Sequence, residues 1–133
     1  MNKAIVYVST ASEELDESDI KKILDYSKDW NNTHNVSGIL LFSEGNFFQV
    51  IEGEGGTIES LFQNIKTDKR HKNLIKIFEK EINKEAYDGY ESDFISEETR
   101  YASSKLDHYL DYIKVLDQPS QMVVKNMLKA FIA

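Results

Sequence analysis

Two segments that are apolar on both of their alternating faces constrain this chain more than anything else in it. Lys3 to Ser9 (KAIVYVS) and Val36 to Ser43 (VSGILLFS) are short, β-branched and nearly continuous in apolar character, as strands buried on both sides are. Such strands need cover above and below. In 133 residues that implies one sheet with helices on both faces, closed around a single core without metals or staples. There is no cysteine, which excludes disulfides, thiolate metal sites and a cysteine nucleophile.

The segments between these strands fill in the order. Asp16 predicts a helix cap, with Glu17 and Asp19 adding negative charge to the first turn. The helix carries Ile20, Ile23, Leu24 and Ser27 on one face, and continuing that stripe brings Asn31 inward near its end. Ser43-Glu44-Gly45-Asn46 reads as a tight turn into a third strand, Phe47 to Glu52 (FFQVIE). Gly53, Gly55 and Gly56 break the chain before a second helix with Ile58, Leu61, Phe62 and Ile65 in register, ending around Asp68-Lys69-Arg70-His71. Leu74 to Glu81 predicts a fourth strand, and Tyr90 to Ile95 a weaker fifth. Leu106, Leu110 and Ile113 mark a third helix; a fourth starts near Pro119 with Val124, Met127, Leu128 and Phe131 in register. The order βαββαβ followed by one more strand is α+β and ferredoxin-like. Two helices then cover one sheet face and the C-terminal pair the other. The expected organisation is a domain over residues 1–97 with a helical extension, residues 98–133, packed on it.

Several function classes fall away. The net charge is -7 and the basic residues are scattered, so a nucleic-acid surface is not expected. The apolar run Ala4 to Val8 is too short for a signal peptide or a membrane span, which leaves the cytoplasm as the expected location and no membrane partner. His34, His71 and His108 have no ligand spacing, so no metal site is expected. A phosphate-hydrolysing enzyme on this fold would need an arginine in a phosphate-cradling loop. The turn Gly53 to Gly56 carries Glu54 instead, and the chain is not expected to be an enzyme.

Strand alternation puts Tyr7 on the face of Ile5 and Ser9, and Gln49 on the face of Phe47 and Ile51. In the ferredoxin-like order the first and third strands are neighbours, so Tyr7 and Gln49 are expected side by side under the helices. Gln49 is the anomaly, a primary amide inside an apolar strand. Unpaired, it would cost about 1–3 kcal/mol. With Asn31 descending from the helix, three groups of donor-acceptor character converge on one apolar pocket. Two readings are open at that point: a small network that only satisfies itself, or a ligand site.

The segments IVYVS, WNNTHNVSGILLFSEGNFFQVIEGEGG and IKTDKRH resemble, in order and spacing, the signature of BLUF domains, sensors of blue light using FAD. That signature joins a strand tyrosine, an asparagine seven residues before the glycine of a [TS]-G pair, an F-[FL]-Q-V-[LI]-E-G strand and a D-x-R-H helix end. The likeness runs through about Ile95, and the C-terminal helices resemble those of short, stand-alone members. It implies a non-covalently bound flavin, with FAD the family's namesake and FMN or riboflavin sharing the same ring. It implies that Tyr7 is the photochemical electron and proton donor, and that Gln49 links it to flavin N5 and O4. Asn31 then meets the pyrimidine edge of the ring. Arg70, His71 and Asp68 match residues that hold the polar rim and the ribityl-phosphate chain. Ile23, Leu24, Leu40 and Ile65 would be apolar walls of the ring slot.

The chain departs from the family in three places. Trp30 stands where a smaller polar or imidazole side chain is common, and would either stack on the flavin edge or pack on Tyr26. In Tyr87-Asp88-Gly89-Tyr90-Glu91-Ser92, Tyr90 replaces a frequent tryptophan and Ser92 a methionine, on the strand through which the signal is thought to leave. Asn64 stands where some members place an arginine, which leaves Lys66 and Lys69 as helpers for a phosphate. With no second domain expected, output would pass through the C-terminal region to an unidentified protein partner, or through self-association as a homo-oligomer. Tyr109, Tyr112, Met122 and Val123 would either offer a protein-facing surface or pack against one another with no further role. The alternative is a degenerate, flavin-free interaction module on the same fold.

Overall fold

The structure is a computed structural model that describes residues 1–82, 89–94 and 103–132. The expected domain boundary at residue 97 lies outside the described residues, as do Tyr87, Asp88 and Ile95. In chain order the elements are β1 (Asn2–Ala11), α1 (Glu17–Thr33), β2 (Ser37–Ser43), β3 (Asn46–Glu54), α2 (Gly55–Thr67), β4 (His71–Ile82), β5 (Tyr90–Phe94), α3 (Ser103–Leu110) and α4 (Gln118–Ile132). Among the described residues the strands form one sheet in the order β4-β1-β3-β2-β5. The first four strands pair antiparallel, and β5 joins β2 in parallel. This is the ferredoxin-like arrangement with an added edge strand.

Local chemistry explains the boundaries. Asp16 and Asp19 form a reciprocal capping box at the start of α1, the Asp16 carboxylate accepting from the Asp19 N–H at 2.8 Å and the Asp19 carboxylate from the Asp16 N–H at 3.1 Å. Glu54, the acid in the glycine-rich turn, caps α2 in a similar way. Its carboxylate accepts the Gly56 and Thr57 N–H groups at 2.9 and 2.8 Å. Between β2 and β3, Glu44 and Gly45 both take positive φ, 49° and 83°, as a two-residue hairpin turn requires. At Gly38 β2 runs so close to β3 that a Cβ would sit 1.9 Å from the Val50 carbonyl oxygen.

Both sheet faces are covered. On one, Ile5, Tyr7, Leu40, Phe47 and Ile51 pack beneath Ile20 and Leu24 of α1 and Ile58 and Phe62 of α2. On the other, Ala4, Val6, Ile39, Leu41, Phe48 and Val50 pack against Tyr109, Ile113, Leu116, Val124 and Leu128 from the C-terminal region. Three expectations need correction. α2 ends at Thr67 with Asp68 as its C-cap, and His71 opens β4 instead of closing the helix. Ile113 lies in the turn beyond α3. Tyr109 is fully buried and therefore belongs to no surface, because its ring completes the second core while its hydroxyl reaches Asp93 on β5 at 2.6 Å. Met122 and Val123 remain exposed. Among the described residues no helix is long and apolar enough to cross a membrane.

Candidate functional site

The register of the central strands builds the floor of the site. Tyr7 on β1 stands directly opposite Gln49 on β3, and Leu40 on β2 flanks Gln49 from the other side. The Gln49 Nε2 donates to the Tyr7 hydroxyl. Its Oε1 accepts from a second phenol, Tyr90 at the start of β5. The side-chain amide of Asn31 is close enough to the Tyr90 hydroxyl to offset part of what burial does to its ionisation. Tyr7, Gln49 and Tyr90 thus form one buried hydrogen-bonded chain, with Asn31 beside it and each residue no more than 4% exposed. Buried networks of this kind hold together because every member has a partner. Burial pushes the ionisation of both phenols up; at Tyr7 the Gln49 hydrogen bond offsets part of that.

Tyr90 owes its place to α1. The Asn32 side chain clasps its backbone at both ends, Nδ2 donating to the Tyr90 carbonyl and Oδ1 accepting from its N–H, each at 2.9 Å. Parallel pairing sets Tyr90 beside Gly38. Two residues on, the Ser92 hydroxyl donates to the Leu24 carbonyl at 2.9 Å. These contacts hold β5 against the helix whose other residues line the site.

Above this floor, between α1 and α2, lies an open-mouthed cavity of about 270 Å³. Tyr7, Leu40, Phe47 and Gln49 form its base; Ile23, Ser27, Trp30 and Asn31 line the α1 side, and Leu61, Asn64 and Ile65 the α2 side. Tyr26, Asp68, Arg70 and His71 complete the lining. The expected site residues are therefore assembled around one cavity, with the exception of Leu24. That side chain is buried in the core alongside, and its backbone carbonyl serves Ser92.

The charged and aromatic residues of the lining also have partners within the chain. Arg70 grips Asp68 through Nε, at 3.0 Å to both carboxylate oxygens, and through Nη2 at 2.6 Å. Those hydrogen bonds hold the Asp68 carboxyl below the usual carboxylate range and the guanidinium above its own. The pair is neutral as a unit, although Arg70 keeps donors that Asp68 does not use. His71 touches the cavity but has no ring nitrogen to spare. Its Nε2 meets the Ile65 carbonyl at 2.6 Å and must carry the proton there, while Nδ1 pairs with the Ser9 hydroxyl at 2.7 Å. It ties α2 to β1 and forms part of the cavity wall. Trp30 stacks on His34 at 3.8 Å and 10°, not on Tyr26, and still reaches the cavity wall. Lys66 lies over the Phe62 ring and is not part of the lining.

Sequence reasoning missed two of these residues. Tyr90 was legible only as a substitute for a tryptophan, and Asn32 not at all. The one signal for Asn32 is its adjacency to Asn31, since two amides at the end of one helix face cannot both point at the same pocket.

Residues 3–92 match the family model described as BLUF, sensors of blue-light using FAD. Among curated relatives, photoactivated adenylate cyclase subunit alpha of Euglena gracilis is 32% identical over 83 residues, which is 62% of this chain and 8% of that protein. The chain thus spans less than a tenth of that relative's length. Among solved structures, Klebsiella pneumoniae BlrP1 with FMN and cyclic diGMP superposes with a TM-score of 0.74 at 25% identity, over 99% of this chain and 34% of the other. BlsA in its photo-activated state superposes with a TM-score of 0.67 at 23% identity, over 97% of this chain and 95% of that one; at that identity the likeness concerns the fold.

Proposed function

This chain belongs to the BLUF family of flavin-binding blue-light sensors, and from that premise we propose that Tyr7 and Gln49 are its photoactive pair and that the cavity above them holds the flavin ring. The observation that carries the reading is the buried Tyr7–Gln49 contact at the floor of a slot with apolar walls. The residues present fit such a group. Ile23, Leu40 and Ile65 suit the faces of a flat ring, and Asn31 and Gln49 offer amides to its polar edge. A volume near the lower end for small-molecule pockets suits the ring with its tail leaving through the mouth, past Asp68 and Arg70. FAD is the proposed flavin; FMN and riboflavin share the ring that this pocket grips.

Flavin, when bound, supplies blue-light absorption and an excited state that is a strong oxidant. The protein supplies the electron, the proton path and the switch. Burial makes a Tyr7 phenolate costly, so Tyr7 gives up its electron and its hydroxyl proton together. Gln49, whose Nε2 donates to the Tyr7 hydroxyl in the dark arrangement, would come to rest with its amide turned so that Oε1 faces Tyr7 and can accept from it. The electron and a proton then return to Tyr7, so the cycle has no net redox change and no substrate bond is made or broken. The changed hydrogen bond offered by Gln49 moves the absorption to the red until the amide turns back in the dark.

Output is proposed to run from Gln49 to β5 and on to the C-terminal helices. The contact between Asp93 and Tyr109 supports that route, as does the approach of His108 to Glu91 at 3.6 Å. The receiver is a protein partner or a second copy of this chain, in the cytoplasm. The named cyclase activity belongs to a relative of which this chain covers 8%, and only the light-sensing role is taken from it. The deciding experiment is the visible spectrum of the purified protein, in the dark and under blue light. A flavin spectrum that shifts red and recovers is expected. No flavin after adding FAD would refute the proposal and leave a flavin-free interaction module on this fold.

A further inference from the structure

We propose that Tyr90 is a positioning residue for the Gln49 amide, satisfying it in both of its orientations; this rests on the photoreceptor reading above. The amide of Gln49 is unsymmetric, with a donor at one end and an acceptor at the other. It lies between two phenols, Nε2 toward Tyr7 and Oε1 toward Tyr90, and all three residues are 4% exposed or less. A phenol both donates and accepts. If the amide turns over, Tyr7 can donate to Oε1 and Tyr90 can accept from Nε2. No buried polar group is then abandoned in either state, which matters because an orphan in such a place is costly.

An indole at this position could do only half of this. Its N–H donates and never accepts, so it would serve the orientation seen here and confront Nε2 in the other. Phenylalanine would serve neither. The Tyr90 hydroxyl also has little freedom to retreat, because Asn32 holds the residue's backbone at both its N–H and its carbonyl, and the ring is 2% exposed. Two arrangements of equal bonding, held by a fixed pair of phenols, make the Gln49 orientation bistable.

The test compares wild type, Tyr90→Phe and Tyr90→Trp, each saturated with FAD. Two things are read: the Gln49 side-chain amide signals in the dark by ¹⁵N NMR with labelled glutamine, and the rate of dark recovery. In Tyr90→Phe the Gln49 amide signals are expected to move, because Oε1 loses its donor while Nε2 keeps Tyr7. Its recovery is expected to quicken by at least about tenfold, since the amide has one bond fewer to break on turning back. Tyr90→Trp is expected to restore the dark amide signals but to shorten the lit state by at least about tenfold relative to wild type. Wild-type amide signals in Tyr90→Phe would overturn the inference, and so would a lit state in Tyr90→Trp as long-lived as that of wild type. If wild type itself shows no light-induced shift, the photoreceptor reading fails, while the dark amide comparison still decides whether Tyr90 positions Gln49.

Discussion

Replacing Gly38 by alanine is expected to cost this protein a large share of its stability, although it adds a single methyl group. The added Cβ would stand 1.9 Å from the Val50 carbonyl oxygen and 2.8 Å from the Val50 carbonyl carbon. Both atoms are backbone of β3, next in sequence to Gln49, so no side chain can swing away. β2 and β3 would have to part, at a loss of about 0.5–1.5 kcal/mol for each ladder hydrogen bond broken. The φ of +139° adds about 1–3 kcal/mol for a residue with a side chain, and the forced expansion another 1–3 kcal/mol or so. Together these reach about 3–7 kcal/mol, against about 5–15 kcal/mol for an entire domain. Gly45→Ala is the matched control. Its φ is also positive, at +83°, but a Cβ there meets nothing within 4 Å, so only the backbone cost of about 1–2 kcal/mol remains. Urea unfolding followed by circular dichroism, in the dark and at one fixed flavin concentration, measures both. Flavin colour should disappear with Gly38→Ala, because Gly38 also pairs with Tyr90 and donates its N–H to the Gly89 carbonyl at 3.0 Å. A Gly38→Ala protein within about 1 kcal/mol of Gly45→Ala would show that the close approach of the two strands is not the constraint.

Other perturbations address the site. Tyr7→Phe and Gln49→Leu are each expected to keep the yellow colour and lose the ordinary red shift under blue light; an unchanged shift in both would refute their assigned roles. Burial raises the pKa of Tyr7, Tyr90 and Tyr109 above the ordinary 10.0, with the Asp93 hydrogen bond adding to it at Tyr109. The folded state therefore favours the protonated phenols, so stability is intact below about pH 10 and falls as the pH rises beyond it. In an alkaline titration followed by phenolate absorbance these three should ionise only as the protein unfolds. All seven tyrosines ionising together while circular dichroism stays native would contradict that. Arg70→Ala removes the rim cation and leaves the Asp68 charge unpaired, so FMN is expected to bind about tenfold more weakly while riboflavin is unaffected. Equal weakening of both in equilibrium titrations would mean that Arg70 does not serve the phosphate.

The element order, the two covered sheet faces and the Tyr7–Gln49 pairing were legible because each follows from local periodicity. Alternation assigns Tyr7 and Gln49 to a face, the hairpin at Glu44-Gly45 sets the register of β2 on β3, and the helical repeat carries Asn31 inward. Adjacency of β1 and β3 then comes with the ferredoxin-like order. What no local pattern reaches is the role of β5. It joins β2 in parallel after a long connection, so no turn dictates its register, and only packing puts the Tyr90 hydroxyl on Gln49 and the Asn32 amide on the Tyr90 backbone. The same holds for residues judged by type alone. Tyr109 reads equally as a surface or a packed aromatic until the second core closes over it, and no local pattern shows that His71 joins Ser9 to the Ile65 carbonyl. Sequence periodicity determines which side of an element a residue occupies. Which partner it meets across the core is decided by how distant elements settle against one another, because there the satisfaction of buried polar groups outweighs local preference.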